Sequence, residues 1–104
     1  MAYRVAFAPE ARAHLVSIYA YVAARAGRAA AFRFTEAIVG YCESFTTFPL
    51  RGRRRDDIRP GLRTIGFRRR VTIAFSADDD TVTILGVFYG GQDLETILGG
   101  DVDS

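Results

Sequence analysis

The stretch Val71-Thr72-Ile73-Ala74-Phe75-Ser76-Ala77-Asp78-Asp79-Asp80-Thr81-Val82-Thr83-Ile84-Leu85-Gly86-Val87-Phe88-Tyr89 decides the fold class. Val71, Ile73 and Phe75 alternate with Thr72, Ala74 and Ser76, and a period of two puts each set on its own face of a strand. Ala77-Asp78-Asp79-Asp80 reads as a turn, because Asp side chains bond nearby backbone and tolerate turn conformations. Thr81 to Tyr89 is a second β-rich run, so the pair reads as a hairpin. A further strand is expected over Arg63–Phe67, and Gly90-Gly91 closes the last strand.

Upstream the period changes. Leu15, Ile18, Tyr19 and Val22 recur at i, i+3, i+4 and i+7, one face of a helix that starts at Ala8-Pro9-Glu10. Proline suits the first turn, where its missing N–H has no partner to lose, and Glu10 favours the positive end of the dipole; Ala8 is a poor N-cap. Gly27 breaks this helix, and a second is expected from about Ala29, with Phe34, Ile38, Tyr41, Phe45 and Phe48 as its stripe. Phe48-Pro49 should end it, since a residue before proline avoids the α region. Tyr19, Val22, Phe34, Ile38, Tyr41 and Phe45 are expected in the core. Tyr3–Phe7 reads as a short N-terminal strand, Leu50–Gly61 as a loop, and Gln92–Leu98 as a short C-terminal helix.

Helices and strands are thus segregated, which argues an α+β fold: an N-terminal strand, then an antiparallel helical hairpin packed on an antiparallel sheet, then the short C-terminal helix. The 104 residues form one domain, expected over 1–98 with a flexible tail at 99–104. Half the chain is apolar (49%), enough for one compact core. Cys42 is the only cysteine, so no internal disulfide forms and no zinc site is expected. No run approaches the ~20 apolar residues of a membrane span, and Met1-Ala2-Tyr3-Arg4 does not resemble a signal peptide, so the expected setting is the cytoplasm.

Charge is distributed unevenly. All 14 basic residues are Arg, and nine lie between Arg51 and Arg70, beside only Asp56 and Asp57. No basic residue follows Arg70, whereas Asp78, Asp79, Asp80, Asp93, Glu95, Asp101 and Asp103 do. This basic middle is either a solvated face or a docking surface for an acidic protein or for phosphates. Arg suits both anions because its planar fork makes two bonds to either.

Several motifs, taken together in order and spacing, resemble ParE-type toxins of the ParE/RelE family. They are Phe7-Ala8-Pro9-Glu10-Ala11, Leu15 with Ile18-Tyr19-Ala20-Tyr21-Val22, Phe48-Pro49-Leu50-Arg51-Gly52, Gly61-Leu62-Arg63, and Ile84-Leu85-Gly86-Val87-Phe88-Tyr89-Gly90. The resemblance runs from about Tyr3 to Leu94. It implies the toxin of a type II toxin–antitoxin system, neutralised by an acidic, ParD-like antitoxin in a hetero-oligomer. ParE members are associated with DNA gyrase, RelE relatives with ribosome-dependent mRNA cleavage. RelE-like nucleases typically carry Lys and Arg on the central strands, then Arg and Tyr near the C-terminus. This chain has no Lys, reads Gly90-Gly91-Gln92-Asp93 where the late Arg is expected, and has no Tyr after Tyr89.

The residues themselves argue against catalysis. Metal-independent RNA cleavage needs groups that move protons as well as cations around the phosphate. His14 is the lone residue titrating near neutrality, and its place on the first helix, far in sequence from the arginines, suggests a surface or partly packed role. Three adjacent Asp on a short turn converge poorly on a metal. The expectation is therefore a non-enzymatic toxin that needs no cofactor or metal, and the resemblance implies that it acts on gyrase by binding. The alternatives are a RelE-like endoribonuclease and an Arg-rich nucleic-acid-binding module. The expected partner-binding residues are Arg51, Arg53, Arg59, Arg63, Arg69, Arg70 and Tyr89, Arg63 being favoured by the resemblance. Tyr21 and Phe32, off the core stripe, are expected to form part of the antitoxin groove.

Overall fold

The computed structural model describes residues 3–90. The expected C-terminal helix and the tail lie outside these residues. Strand β1 (Arg4–Phe7) leads into helix α1 (Pro9–Ala26), which Gly27 joins to α2 (Arg28–Glu43). Strands β2 (Arg53–Arg54), β3 (Arg63–Phe67), β4 (Val71–Ala77) and β5 (Thr81–Tyr89) follow. They form a five-stranded sheet in the order β1-β5-β4-β3-β2. The fold is α+β with the helical hairpin on one face, as the segregated periods imply.

The sheet differs from expectation in one respect: it is mixed. β1 pairs in parallel with β5, from Arg4 opposite Thr81 to Phe7 opposite Ile84. The two strands lie far apart in sequence, and the intervening helices carry the chain over the sheet, the crossover that a parallel pair requires. β2, within the segment read as loop, is too short to announce itself by alternation. It pairs with β3 through Arg53–Thr64 and Arg54–Arg63.

Helix α2 also ends earlier than the proline suggests. It stops at Glu43 and passes into a 3-10 turn over Ser44–Thr46. Ser44 Oγ donates to the Tyr41 carbonyl at 2.6 Å, a local bond of the kind that competes with continued helix. Phe45 still turns inward and is fully buried, whereas Phe48, beyond the turn, is 63% exposed.

Between helices and sheet lies the main core of Ile18, Ile38, Cys42, Phe45, Val71, Ile73, Phe75, Val82, Ile84 and Val87, flanked by Leu15, Val22, Phe34 and Tyr41. Tyr19, expected in this core, instead lines a groove on the outside of the helical hairpin with Val16 and Val39. The opposite sheet face is covered too. Leu62, Ala74 and Phe88 are buried there, with Ile58 and Leu85 against them, so the 55–62 segment roofs a second small core.

A bulge in β5 decides which residues reach which core. Phe75 pairs with Ile84 but Ala74 with Gly86, leaving Leu85 as the extra residue. Before it the even residues Val82 and Ile84 face the helices; after it the odd residues Val87 and Tyr89 do.

The β3–β4 turn is held in an unfavourable backbone. Arg68 (φ 50°) and Arg69 (φ 68°) both lie in the left-handed region, and Arg70 N–H donates to the Arg68 carbonyl at 2.7 Å. Left-handed geometry costs an L-residue about 1–2 kcal/mol, and a γ-turn of positive φ is itself strained. Arg69→Gly should therefore raise stability by about 1 kcal/mol, after the extra chain entropy of glycine is subtracted. Urea unfolding would show this as a higher midpoint at unchanged slope.

Candidate functional site

The route from β1 into α1 creates the most distinctive local geometry. Beyond Ile84, β1 no longer pairs with β5. The second turn of α1 passes this vacated edge, and His14 Nδ1 accepts the Val87 N–H at 3.0 Å. The imidazole packs on Phe88, with ring centroids 4.9 Å apart. It also needs the glycine next to Val87. A Cβ on Gly86 would stand 2.7 Å from the Phe88 ring and 3.2 Å from His14 Cε1.

Because Nδ1 accepts, the proton of neutral His14 sits on Nε2. Burial lowers the pKa of His14 below 6.5, against a smaller upward pull from Glu10. The sign for stability follows. The unfolded chain takes up the proton below about pH 6.5 while the folded chain resists it, so this contribution is complete above that pH and is lost as pH falls. His14→Gln keeps an acceptor but does not titrate. Between pH 7.5 and 5 its urea midpoint should fall less than that of the wild type.

Beside His14 a pocket of about 320 Å³ opens between α1 and the end of β5, its polar wall formed by His14, Ser17, Tyr21, Arg70 and Tyr89. Ile18 and Val87 give it an apolar floor. Tyr21 and Tyr89 meet edge-on at 5.3 Å, and Tyr89 meets Phe34 at 5.7 Å. Arg25 lies 3.7 Å from the centre of the Tyr21 ring. The fold thus brings His14 together with Arg70 and Tyr89, a convergence that distance in sequence concealed. The clue available in advance was weak: Tyr89 and His14 both sit beside residues of a core stripe.

The arginine-rich segment separates into groups with different roles. Arg51 lies over three rings, 5.5 Å from Tyr41, 5.0 Å from Phe45 and 5.7 Å from Phe48. Arg63 donates to the carbonyls of Leu50 and Arg51 at 3.3 and 3.4 Å. Arg51 thereby ties the 50–52 turn to the end of the helical layer, and Arg63 ties it to the sheet. That turn needs Gly52, whose φ is 79° and whose added Cβ would collide with the Thr64 carbonyl oxygen. Arg54 pairs with Asp56 and Arg55 with Asp57, each at 3.0 Å. Asp56 also accepts the Gly61 N–H at 2.8 Å, and this bond, with Arg54, holds its carboxyl below the usual range. Arg55 does the same for Asp57. Arg53, Arg59, Arg68, Arg69 and Arg70 are exposed, the last three on one turn.

Tyr21 and Phe32 are 44% and 58% exposed. Tyr21 lines the His14 pocket, and Phe32 stands on α2. Burial and neighbouring Glu43 raise the Cys42 thiol to about 12, which keeps it protonated. The Asp78–Asp80 turn uses its carboxylates locally, as Asp78 accepts the Thr81 N–H and Asp80 the Thr81 hydroxyl.

The family described as ParE toxin of type II toxin-antitoxin system, parDE, matches residues 5–94. The chain belongs to the ParE toxin family. It is therefore the toxin component of a type II toxin–antitoxin system. Solved structures share the ParE fold. A chain of the chromosomal ParDE system from P. aeruginosa superposes with TM-score 0.75 at 21% identity, covering 86% of this toxin and 97% of that chain. The toxin–antitoxin complex RelBE2 from Mycobacterium tuberculosis contributes another at TM-score 0.61 and 23% identity, covering 86% and 99%. At these identities the likeness concerns fold alone. No curated protein matches this ParE toxin.

Proposed function

We propose that this toxin arrests growth by binding DNA gyrase in the cytoplasm, without breaking a covalent bond, and that an acidic ParD-like antitoxin neutralises it in a hetero-oligomer. The observation that carries the non-catalytic reading is the commitment of His14. Its only lone pair accepts the Val87 N–H. To act as a base, Nδ1 would have to release that amide; to act as an imidazolium acid, it would have to turn a proton against it. The exposed Arg53, Arg59, Arg69 and Arg70, with Tyr89 beside Arg70, form the proposed contact to the target. Arg51 and Arg63 support it by fixing the 50–52 turn.

One observation favours a second reading, a RelE-like endoribonuclease. His14, Arg70 and Tyr89 share a pocket large enough for a phosphate group. Mapping transcript ends after controlled expression separates the two. Growth arrest with intact message agrees with gyrase binding; discrete cuts in translated message would overturn it. An Arg-rich nucleic-acid module without toxicity would leave growth unaffected.

The antitoxin is proposed to use the exposed Tyr21 and Phe32 as aromatic anchors of its groove. Tyr21→Ala with Phe32→Ala should weaken antitoxin binding by about tenfold or more, in line with the loss of exposed aromatic anchors. Calorimetric titration of the double variant with antitoxin checks this, and unchanged affinity would remove both residues from the interface.

A further inference from the structure

Three features of the pocket between α1 and the end of β5 point to a ligand. First, its polar wall offers donors. His14 can present only its Nε2–H, because Nδ1 is occupied by Val87, and Arg70, a cation, lines the same pocket. Ser17 and Tyr21 contribute hydroxyls, and no carboxylate lines the pocket among the described residues. Glu10, which acts on His14 from one turn earlier, is not on that wall.

Second, the Arg70 backbone is held on both sides, and among the described residues no carboxylate pairs with its side chain. Its N–H is bonded to the Arg68 carbonyl at 2.7 Å, and its carbonyl accepts the Gly90 N–H at 2.8 Å. The strained Arg68–Arg69 backbone thereby clamps the turn to the end of β5. Strain held in place by surrounding bonds is the form that pre-organised binding geometry takes.

Third, the lining suits a side chain with apolar neighbours. Ile18 and Val87 form the floor, and two phenol rings stand beside them. A single guanidinium fork matches a single carboxylate, whereas a nucleic-acid backbone would call for several cations along its track. Arg25, the next cation, is already bonded to the Tyr21 carbonyl and stacked on its ring.

We infer that this pocket seats one carboxylate side chain, flanked by apolar residues, from a bound protein segment, with Arg70 as its ion partner and the His14 Nε2–H, Ser17 and Tyr21 as further donors. The inference rests on the reading that this toxin works through protein contacts, and it names where one such contact is made.

The test uses the full chain, isotopically labelled, titrated with the capped peptide Leu-Glu-Leu and followed by nuclear magnetic resonance. The Leu-Gln-Leu analogue, inorganic phosphate and a thymidine hexanucleotide serve as comparators. The Glu peptide should shift the Val87 and Gly90 amides and the His14 Nε2 signal saturably. Its affinity should fall at least about tenfold in Arg70→Gln, and the Gln peptide should show a similar loss. Arg70 is exposed, so a dispersed amide spectrum should confirm that the variant remains folded. Equal binding of the Gln peptide, an unaffected Arg70→Gln variant, or tighter saturation of the same signals by phosphate or hexanucleotide would overturn the proposal. Gyrase inhibition is measured on the same samples. Inhibition without peptide binding sinks the pocket alone, and peptide binding without inhibition supports the pocket while removing the gyrase reading.

Discussion

Reversing the charge of one turn, by Arg68→Glu, Arg69→Glu and Arg70→Glu together, should raise the toxin concentration needed to inhibit gyrase by about 100-fold or more. Each charge-assisted hydrogen bond to a partner carboxylate contributes roughly 1.5–3 kcal/mol, so the loss of two or three is multiplicative in affinity. Replacing cations by anions adds repulsion against an acidic surface, the feature that most lowers association rates. The three side chains are exposed, and Glu suffers the same left-handed backbone as Arg, so thermal stability should change little. The comparison is a supercoiling titration at two salt concentrations. Electrostatic docking also requires the wild type to weaken as salt rises. An inhibitory concentration unchanged by the triple reversal would place the working surface elsewhere.

The largest effect on stability is expected from Phe45→Ala, at about 3–5 kcal/mol. Phe45 is fully buried where the end of the helical layer meets the sheet, 4.7 Å from the Phe75 ring and 5.4 Å from Tyr41. It is also one of the three rings beneath Arg51. Truncation leaves a cavity and loosens the contact by which Arg51 holds the 50–52 turn against the helical layer. For a small domain whose total stability is of the order of 5–15 kcal/mol, a loss of this size approaches unfolding at body temperature. Urea unfolding at 25 °C measures it, and a loss below about 1 kcal/mol would mean that the two layers are not joined through this ring.

Much of the fold was legible because its elements differ in period. The change from i, i+3, i+4 spacing before Phe48 to strict alternation after Val71 separates helices from strands without reference to any relative. What escaped was set by long-range partners. β1 carries no mark of running parallel to β5, and β2 is two residues whose pairing depends on where β3 happens to lie. Unbroken alternation through β5 would put Gly86 and Phe88 on the side of Val82 and Ile84. The Leu85 bulge reverses that and turns Tyr89 toward Tyr21 and Phe34.

The site was less legible than the fold for the same reason. Arginines that look equivalent in sequence are distinguished by what they touch: Arg51 by rings, Arg63 by carbonyls, Arg54 and Arg55 by Asp56 and Asp57. Arg70 acquires its significance from Gly90 and His14, both remote in sequence. His14 itself reads as an unremarkable helix residue until β1 ends and leaves the Val87 amide without a strand partner.

The most direct test of recognition without covalent chemistry is the supercoiling activity of purified gyrase titrated with this toxin, with and without its antitoxin. The expected result is arrest of supercoiling at increasing toxin and recovery when antitoxin is added. Full supercoiling at toxin levels that stop growth, alongside cleavage of ribosome-bound message by the same preparation, would contradict it.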